Sequence, residues 1–406
     1  MGASRTLKKK QPYYLIAFRI LLALLWTQYT VLHFVRVIVQ RLPVVGFLSP
    51  LVIPLSIILA LIVAFPWFVN NVRGTDFAFY FSFVVLFFLT MVLFKNNADI
   101  LEEQWWSILI AAVPFYFIGV SFPLDVCKKD LFWCSLVGVL CMFLYQLYKL
   151  RSGIALEDDN MYVAYNLLPS AIYLVYYAVI QNKAIYWVTA AGSAVAMFVF
   201  GTRGPILCIL IFFIACLIYK NIVSSKKKKL FFWLTILLMV AVVFASDELF
   251  VKITTVLSDV FGKIGFSTRI FDFYLSGDAA TSTGREYLLE QTIKAIIKNP
   301  ITGYGLVGDQ YLLGVYCHNL FIELWCQYGV ILGTFVIIIL AIIAFIALSR
   351  ASRNEETFYF VLMLVCMVFI KLMLSSTYTV EPYFYFMLGV FVQIIRHKNI
   401  NWLRYA

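Results

Sequence analysis

Charged residues are scarce in this 406-residue sequence, at 13% of the chain, whereas an ordinary soluble domain carries about 25%. Hydrophobic residues make up 63%. A chain with so little charge cannot present a polar surface to water along most of its length, which excludes a soluble enzyme. Apolar runs that are long enough for a helix to cross a bilayer, about 20 residues, recur along the sequence. The sequence therefore predicts an all-α polytopic membrane protein.

Patterns that bind metals or cofactors are also missing. The eight cysteines lack the paired spacing of metal ligands, and most lie in or beside apolar runs. The segment 33–46, the predicted first outer loop, contains no Asp or Glu. We expect no metal and no cofactor. Cys317 and Cys326 lie nearer to polar sequence, and a disulfide between them remains an alternative.

The net charge of +11 reflects topology rather than nucleic-acid binding, because the basic residues lie in short loops between apolar runs. Placing the N-terminus inside puts 18 Lys and Arg residues on the cytoplasmic side and six in the short outer loops. Both termini are then cytoplasmic. Twelve membrane helices are predicted, at about 13–33, 47–67, 76–94, 106–122, 131–148, 161–180, 184–200, 205–220, 230–246, 319–348, 357–374 and 379–395.

One long polar segment stands out in this pattern. Residues 1–406 are predicted to form a single membrane domain, and the connection 247–318 lies on the extracytoplasmic side. Helical spacing predicts a surface helix at about 284–298 within it, with Thr283 as its cap and Glu286 completing a capping box. Function is therefore expected in this loop.

Three polar residues at predicted outer helix ends are candidates for chemistry: Arg203, Arg285 and His318. An arginine at a membrane boundary can simply extend to the headgroups, and this remains an alternative for both arginines. Glycines flank Arg203, which favours close approach of a phosphate to the forked guanidinium. His318 opens the helix after the polar loop, where an imidazole can take a proton from a hydroxyl.

Four further residues extend this set. Asn319 either orients a substrate hydroxyl or caps the helix, and Glu323 lies one helical turn further on the same face. Arg19 and Lys371 are charges within apolar runs, where an interhelical pair, extension to the headgroups and a functional role all remain open.

Two motifs carry a resemblance to a known family. Gly201-Thr-Arg-Gly-Pro205 precedes a helix, and Gly284-Arg-Glu-Tyr287, Asn299-Pro-Ile-Thr-Gly-Tyr-Gly305 and His318-Asn-Leu-Phe-Ile-Glu-Leu-Trp-Cys-Gln-Tyr-Gly329 follow in order. In detail over about 197–335, the sequence resembles the O-antigen polymerase and ligase family of bacterial polysaccharide assembly. Elsewhere the similarity is one of hydropathy.

The resemblance implies a GT-C-like, metal-independent glycosyltransferase of the bacterial inner membrane, whose active site faces the periplasm. Its substrate would be an undecaprenyl-pyrophosphate-linked glycan. Arg203 and Arg285 match the arginines held to grip the pyrophosphate, and His318 matches the histidine held to assist the acceptor hydroxyl. Tyr287, Asn319 and Glu323 complete the expected substrate-binding set. A chain-length regulator is a candidate partner, and nucleic acid is not.

Three functions are weighed on these grounds. The favoured one is a polymerase that joins lipid-linked repeat units into O-antigen or capsular polysaccharide. A ligase that moves the glycan to lipid A core shares the same motifs. A transporter or flippase is the alternative from another class, and it predicts inverted repeats and polar residues at the bilayer midplane. In this sequence the polar residues are instead concentrated in one outer loop.

Overall fold

The structure is a computed structural model, and it describes residues 3–42, 46–151, 160–199, 203–223, 255–256, 258–263, 268 and 285–396. All regular elements in these ranges are helices, which confirms the all-α prediction for them. The helices are α1 (Ala3–Trp26), α2 (Val31–Gln40), α3 (Val52–Asn71), α4 (Gly74–Leu93), α5 (Ala98–Trp105), α6 (Phe115–Val120), α7 (Leu124–Arg151), α8 (Asn160–Gln181), α9 (Ala184–Val199), α10 (Arg203–Val223), α11 (Arg285–Lys298), α12 (Gly308–Leu313), α13 (Leu320–Ala351), α14 (Glu355–Leu374) and α15 (Pro382–Arg396).

Seven helices in the described part of the chain are long and apolar enough to cross a membrane. Three shorter apolar helices accompany them, within α9, α10 and α15. The chain is thus a multi-pass membrane protein. The count of twelve stays a prediction, since the expected helix at about 230–246 lies outside the described residues, as do Thr283 and most of 247–284.

The first predicted membrane helix, 13–33, is not one straight helix. Tyr13–Trp26 and Val31–Gln40 are bent by 70° relative to each other at a turn that contains Thr27 and Thr30. Thr30 donates its backbone N–H to the Thr27 carbonyl at 3.0 Å. The Thr30 hydroxyl donates to the same carbonyl at 3.3 Å. These local polar contacts form at the break, which explains why an apolar run alone predicted the wrong shape.

The chain divides into two compact units, each described by itself. The first comprises Met1–Leu25, Pro54–Asp130 and Ser282–Ala406, and the second comprises Trp26–Ile53 and Leu131–Thr281. The assignment of the whole chain to one membrane domain stays a prediction. The first unit contains the end of the polar loop and the helices that follow it, so it holds most of the candidate residues.

Arg19, whose role the sequence left open, forms an ion pair between helices of the first unit. Its Nη2 donates to Asp130 Oδ1 at 2.7 Å, and its Nε donates to Asp130 Oδ2. At the same end of this unit, Arg396 Nη1 lies 2.7 Å from Oδ1 of the fully buried Asp76, and Lys128 lies 2.9 Å from Glu356. These pairs link the ends of helices, and the charge pattern predicted those ends to lie on the cytoplasmic side.

Two glycines allow α6 and α15 to pack with their backbones in contact. A Cβ built on Gly119 would lie 2.2 Å from the Phe386 carbonyl oxygen, and one on Gly389 would lie 2.3 Å from that of Tyr116. Side chains are excluded at both positions because the obstacle is backbone, which cannot turn aside. Close backbone approach through small residues is a common way for membrane helices to pack.

Gly119→Ala and Gly389→Ala are each expected to lower the free energy of unfolding by about 1–3 kcal/mol, since the two helices must move apart. The measurement is the melting temperature of the purified protein in detergent. Gly192→Ala in α9 is the matched control, because nothing lies within 4 Å of its Cβ position. Melting temperatures of the Gly119 and Gly389 variants equal to that of the control would refute the close contact.

Candidate functional site

The end of the polar loop is attached to α13 by backbone hydrogen bonds. Helix α13 is interrupted at Gly329, which has φ 76° and ψ 168°. This break leaves backbone groups free, and the loop uses them: Tyr304 N–H donates to the Cys326 carbonyl at 2.9 Å and Gly305 N–H to that of Gln327 at 2.8 Å. Val330 N–H donates in the other direction, to the Pro300 carbonyl at 2.7 Å.

This attachment requires a glycine in each of the motifs 299–305 and 318–329. Gly303 has φ +63°, and its Cβ would lie 2.5 Å from the Gly329 nitrogen. A Cβ on Gly329 would lie 2.1 Å from the Ile301 carbonyl oxygen. The spacing between Asn299-Pro300 and Gly329 therefore has a structural reason: the loop backbone fits against the broken helix only where both chains lack side chains.

Helix α11 (Arg285–Lys298) lies where the sequence predicted a surface helix at about 284–298, and its position on the membrane surface stays a prediction. Thr292 and Ile296 are buried on its inner face, while Tyr287, Ile293 and Ile297 are exposed. Exposed apolar side chains beside a membrane domain are typical of a helix that lies in the membrane interface. Tyr287, a predicted substrate-binding residue, thus stands on the outer face of this helix.

Helix α4 and the segment after it hold the same loop from another direction. Asn97 is almost fully buried, and its Nδ2 donates to the carbonyls of Tyr304 at 2.7 Å and Leu306 at 3.0 Å. Gln104 Nε2 donates to Gln310 Oε1 at 2.7 Å. Segments that the charge pattern placed on the outer side therefore meet in the first unit.

His318 occupies a strained backbone position. Its φ is +59°, in the left-handed region that few residues other than glycine adopt. Its ring lies 4.4 Å from that of Tyr316, measured between centroids. The Tyr316 hydroxyl donates to the Ser375 carbonyl at 3.1 Å. His318 is half-buried, so the surrounding contacts hold a strained residue whose side chain is still accessible.

Asn319 caps α13. Its Oδ1 accepts the backbone N–H groups of Phe321 at 3.1 Å and Ile322 at 3.3 Å. Of the two roles considered for Asn319, the structural one is therefore observed. The cap also fixes the backbone immediately after His318.

Glu323 is fully buried in a polar network instead of lining an open surface. Its Oε1 accepts from the Thr377 hydroxyl and from Gln327 Nε2, the latter at 3.2 Å. Gln327 Nε2 also donates to Asp309 Oδ1 at 2.9 Å, and Gln327 Oε1 accepts from the Tyr378 hydroxyl at 2.6 Å. One amide thus joins two buried carboxyl groups. A contact between Glu323 and substrate stays a prediction.

Asp309 is the member of this network that sequence reasoning missed. It is fully buried, and its Oδ2 accepts the backbone N–H of Cys317 at 3.1 Å. Burial raises the pKa of the Asp309 carboxyl, although the Gln327 and Cys317 donors oppose the rise. A signal was present in the sequence, since Asp309 is the one acidic residue between Lys298 and His318.

Lys371 forms a buried ion pair with Glu381, whose Oε2 also accepts from the Ser376 hydroxyl at 3.2 Å. This pair closes the 375–381 loop, from which Thr377 and Tyr378 enter the network around Gln327. The loop is therefore attached both to α14 and to α13. Cys317 and Cys326 are free thiols, so the disulfide considered for them is wrong.

The two candidate arginines are each the first residue of a helix: Arg203 begins α10 and Arg285 begins α11. They belong to different compact units, Arg203 to the second and Arg285 to the first, with His318. Convergence of the three stays a prediction. Beside Arg203, a Cβ on Gly204 would lie 1.9 Å from the Tyr165 hydroxyl. The lack of a side chain at Gly204 therefore allows Tyr165 of α8 to pack against the start of α10.

Among the residues that the structure describes, no group of three or more His, Cys, Asp or Glu side chains could hold a metal ion.

Part of the chain matches a known protein family. The profile of a family described as O-antigen ligase matches residues 188–337, which include α10 to α12 and the break in α13. Neither a curated protein nor a solved structure matches the chain significantly. The matched range covers the motifs on which the resemblance rested, and the resemblance to the O-antigen polymerase and ligase family is confirmed.

Proposed function

Since residues 188–337 match the profile of the O-antigen ligase family, a group of glycosyltransferase-like enzymes, we propose that this protein is a glycan polymerase. It would join undecaprenyl-pyrophosphate-linked repeat units into O-antigen or capsular polysaccharide at the periplasmic face of the bacterial inner membrane. Both termini would be cytoplasmic. The observation that carries the proposal is the family match over the segment that contains Arg203, Arg285 and His318.

The chemistry of the three residues suits this reaction. The hydroxyl of the acceptor sugar attacks the anomeric carbon of the donor glycan, and the bond from that carbon to the pyrophosphate oxygen breaks. Negative charge grows on the leaving pyrophosphate, so guanidiniums fixed near it stabilise the transition state more than the ground state. His318 accepts the proton of the attacking hydroxyl. No step in this scheme requires a metal ion.

A ligase is the second candidate, because the matched family is described as O-antigen ligase. The donor and the leaving group are the same in both reactions, and only the acceptor differs. For a ligase the acceptor is a sugar of the lipid A core. For a polymerase it is another lipid-linked repeat unit.

The two candidate functions can be distinguished in cells that lack this protein, by separating their surface glycans on gels. We expect single-repeat caps on the lipid A core, as the loss of a polymerase predicts. Accumulated carrier-linked polymer together with a bare core would show a ligase instead. An unaltered glycan pattern would contradict both.

His318→Ala is expected to reduce turnover by about 100-fold or more, because a general base contributes roughly that much. Binding of the lipid-linked donor should change little, since the base contacts the acceptor hydroxyl. Steady-state kinetics of glycan lengthening, with kcat and donor KM measured separately, give the test. His33→Ala is the matched control, and equal losses in both variants would remove His318 from the mechanism.

A further inference from the structure

Hydrogen bonds fix the backbone on both sides of His318. On its N-terminal side, the Cys317 N–H is held by Asp309 Oδ2 at 3.1 Å. On its C-terminal side, Asn319 caps α13. The Cys317 thiol also donates to the Asn319 carbonyl at 3.5 Å, which closes the turn around His318. A left-handed φ at a residue other than glycine persists only where its surroundings enforce it.

Asp309 is the acidic side chain that contacts this turn directly, and its own position is fixed. It lies in the first turn of α12 and is fully buried. Gln327, two residues before the break in α13 at Gly329, donates to its Oδ1 at 2.9 Å. Gln327 is held in turn by the Tyr378 hydroxyl, which also lies 2.8 Å from the Tyr328 hydroxyl. Loop, broken helix and the 375–381 loop therefore all converge on Asp309.

We propose that Asp309, held by Gln327, which Tyr378 supports in turn, is a positioning residue that fixes the strained backbone of His318 and thereby aims its imidazole at the acceptor. The proposal deepens the proposed function and rests on it for the role of the acceptor. An aspartate suits the task because two oxygens can accept two N–H groups at once. An asparagine at this position keeps only one acceptor and turns an amide donor toward the other N–H.

The test uses Asp309→Asn in the full-length purified protein. Histidine accessibility is probed with diethyl pyrocarbonate, which acylates imidazole, and His318 and His33 are quantified by peptide mass spectrometry. The rate at His318 relative to His33 should change by at least about fivefold, since the left-handed conformer loses its support. Glycan turnover should fall by about 100-fold, as misplacement of a catalytic group does, with donor KM within about twofold of wild type.

Two further variants keep the test sharp. Glu290→Gln makes a similar acid-to-amide change in an exposed ion pair with Lys294 on α11, and it should change neither quantity. If Asp309→Asn does not yield folded protein, Tyr378→Phe, which removes one hydroxyl from the support of Gln327, should shift His318 reactivity in the same direction.

Unchanged His318 reactivity in folded Asp309→Asn, or in Tyr378→Phe if that variant is used, would overturn the proposal. Wild-type turnover in Asp309→Asn would do so as well while leaving the proposed function intact. Altered His318 reactivity in a chain whose wild type transfers no glycan would sustain the positioning of His318 and refute the proposed function. The acylation readout and the glycan readout therefore fail independently.

Discussion

Arg285→Lys and Arg203→Lys are each expected to reduce glycan synthesis by about 100-fold or more, the usual loss when one preorganised donor to a developing negative charge is removed. Lysine keeps the positive charge, but an ammonium group cannot make the planar, two-pronged contact with phosphate oxygens. The residual activity therefore measures geometry rather than charge. The measurement is polymer length and amount on gels, at equal levels of membrane-inserted protein.

Arg36→Lys is the matched control for both variants. Arg36 is an exposed arginine of α2 that the charge pattern also places near the outer surface. If arginines there only extend to the headgroups, all three substitutions should be harmless, because lysine reaches the headgroups equally well. Normal polymer in Arg203→Lys or Arg285→Lys would refute the pyrophosphate role of that residue.

Gly329→Ala is expected to be the most damaging change to the fold. The backbone at Gly329 combines φ 76° with ψ 168°, a region that is essentially restricted to glycine. A methyl group there would also lie 2.1 Å from the Ile301 carbonyl oxygen. Together these effects should cost about 3 kcal/mol or more. Little monodisperse protein should be recovered in detergent, and any that is recovered should melt well below wild type.

Gly314→Ala separates the two contributions. Gly314 also has a positive φ, of 73°, but nothing lies within 4 Å of its Cβ position. Its substitution should therefore cost only the backbone strain, about 1–3 kcal/mol. If Gly314→Ala and Gly329→Ala reduce the melting temperature equally, the contact between the loop and the broken helix is not what requires Gly329.

The helical content of the molecule could be predicted because lipid imposes one rule on the backbone. Every N–H and C=O in the bilayer needs a partner within the segment, so long apolar runs become helices. The prediction held for α3, α4 and α14, whose bounds differ from the predicted ones by a few residues. A helix at the position of α11 could also be predicted, since Asn299-Pro300 follows its last residue and such a pair usually ends a helix.

The breaks in the helices could not be predicted from apolar runs. Residues 319–348 appear as one apolar run, yet α13 is interrupted at Gly329 because the loop after α11 supplies hydrogen-bond partners from far away in the sequence. At the bend the partners are instead local, since the backbone N–H and the hydroxyl of Thr30 both donate to the Thr27 carbonyl. Hydropathy reports neither kind of partner, so it does not show where an apolar run is interrupted.

The candidate site could be predicted only in part, because some of its contacts join residues that are distant in the sequence. His318 and Asn319 were identified from a local motif, and the structure adds that Asn319 caps α13. Asp309 was missed, since its importance comes from Gln327 and Tyr378, which are 18 and 69 positions further along the chain. The structural role of a buried carboxyl group can be recognised only once the helices and loops that bury it are placed in three dimensions.

Transfer by the purified protein tests the account most directly. The chain is reconstituted in liposomes without an ion gradient and supplied with lipid-linked repeat units extracted from cells of the source organism that lack it. The account predicts carrier-linked glycans that lengthen with wild type and fail to lengthen with His318→Ala. Folded wild-type protein that neither lengthens nor transfers the glycan, but moves it across the bilayer, would contradict the account and show a transporter.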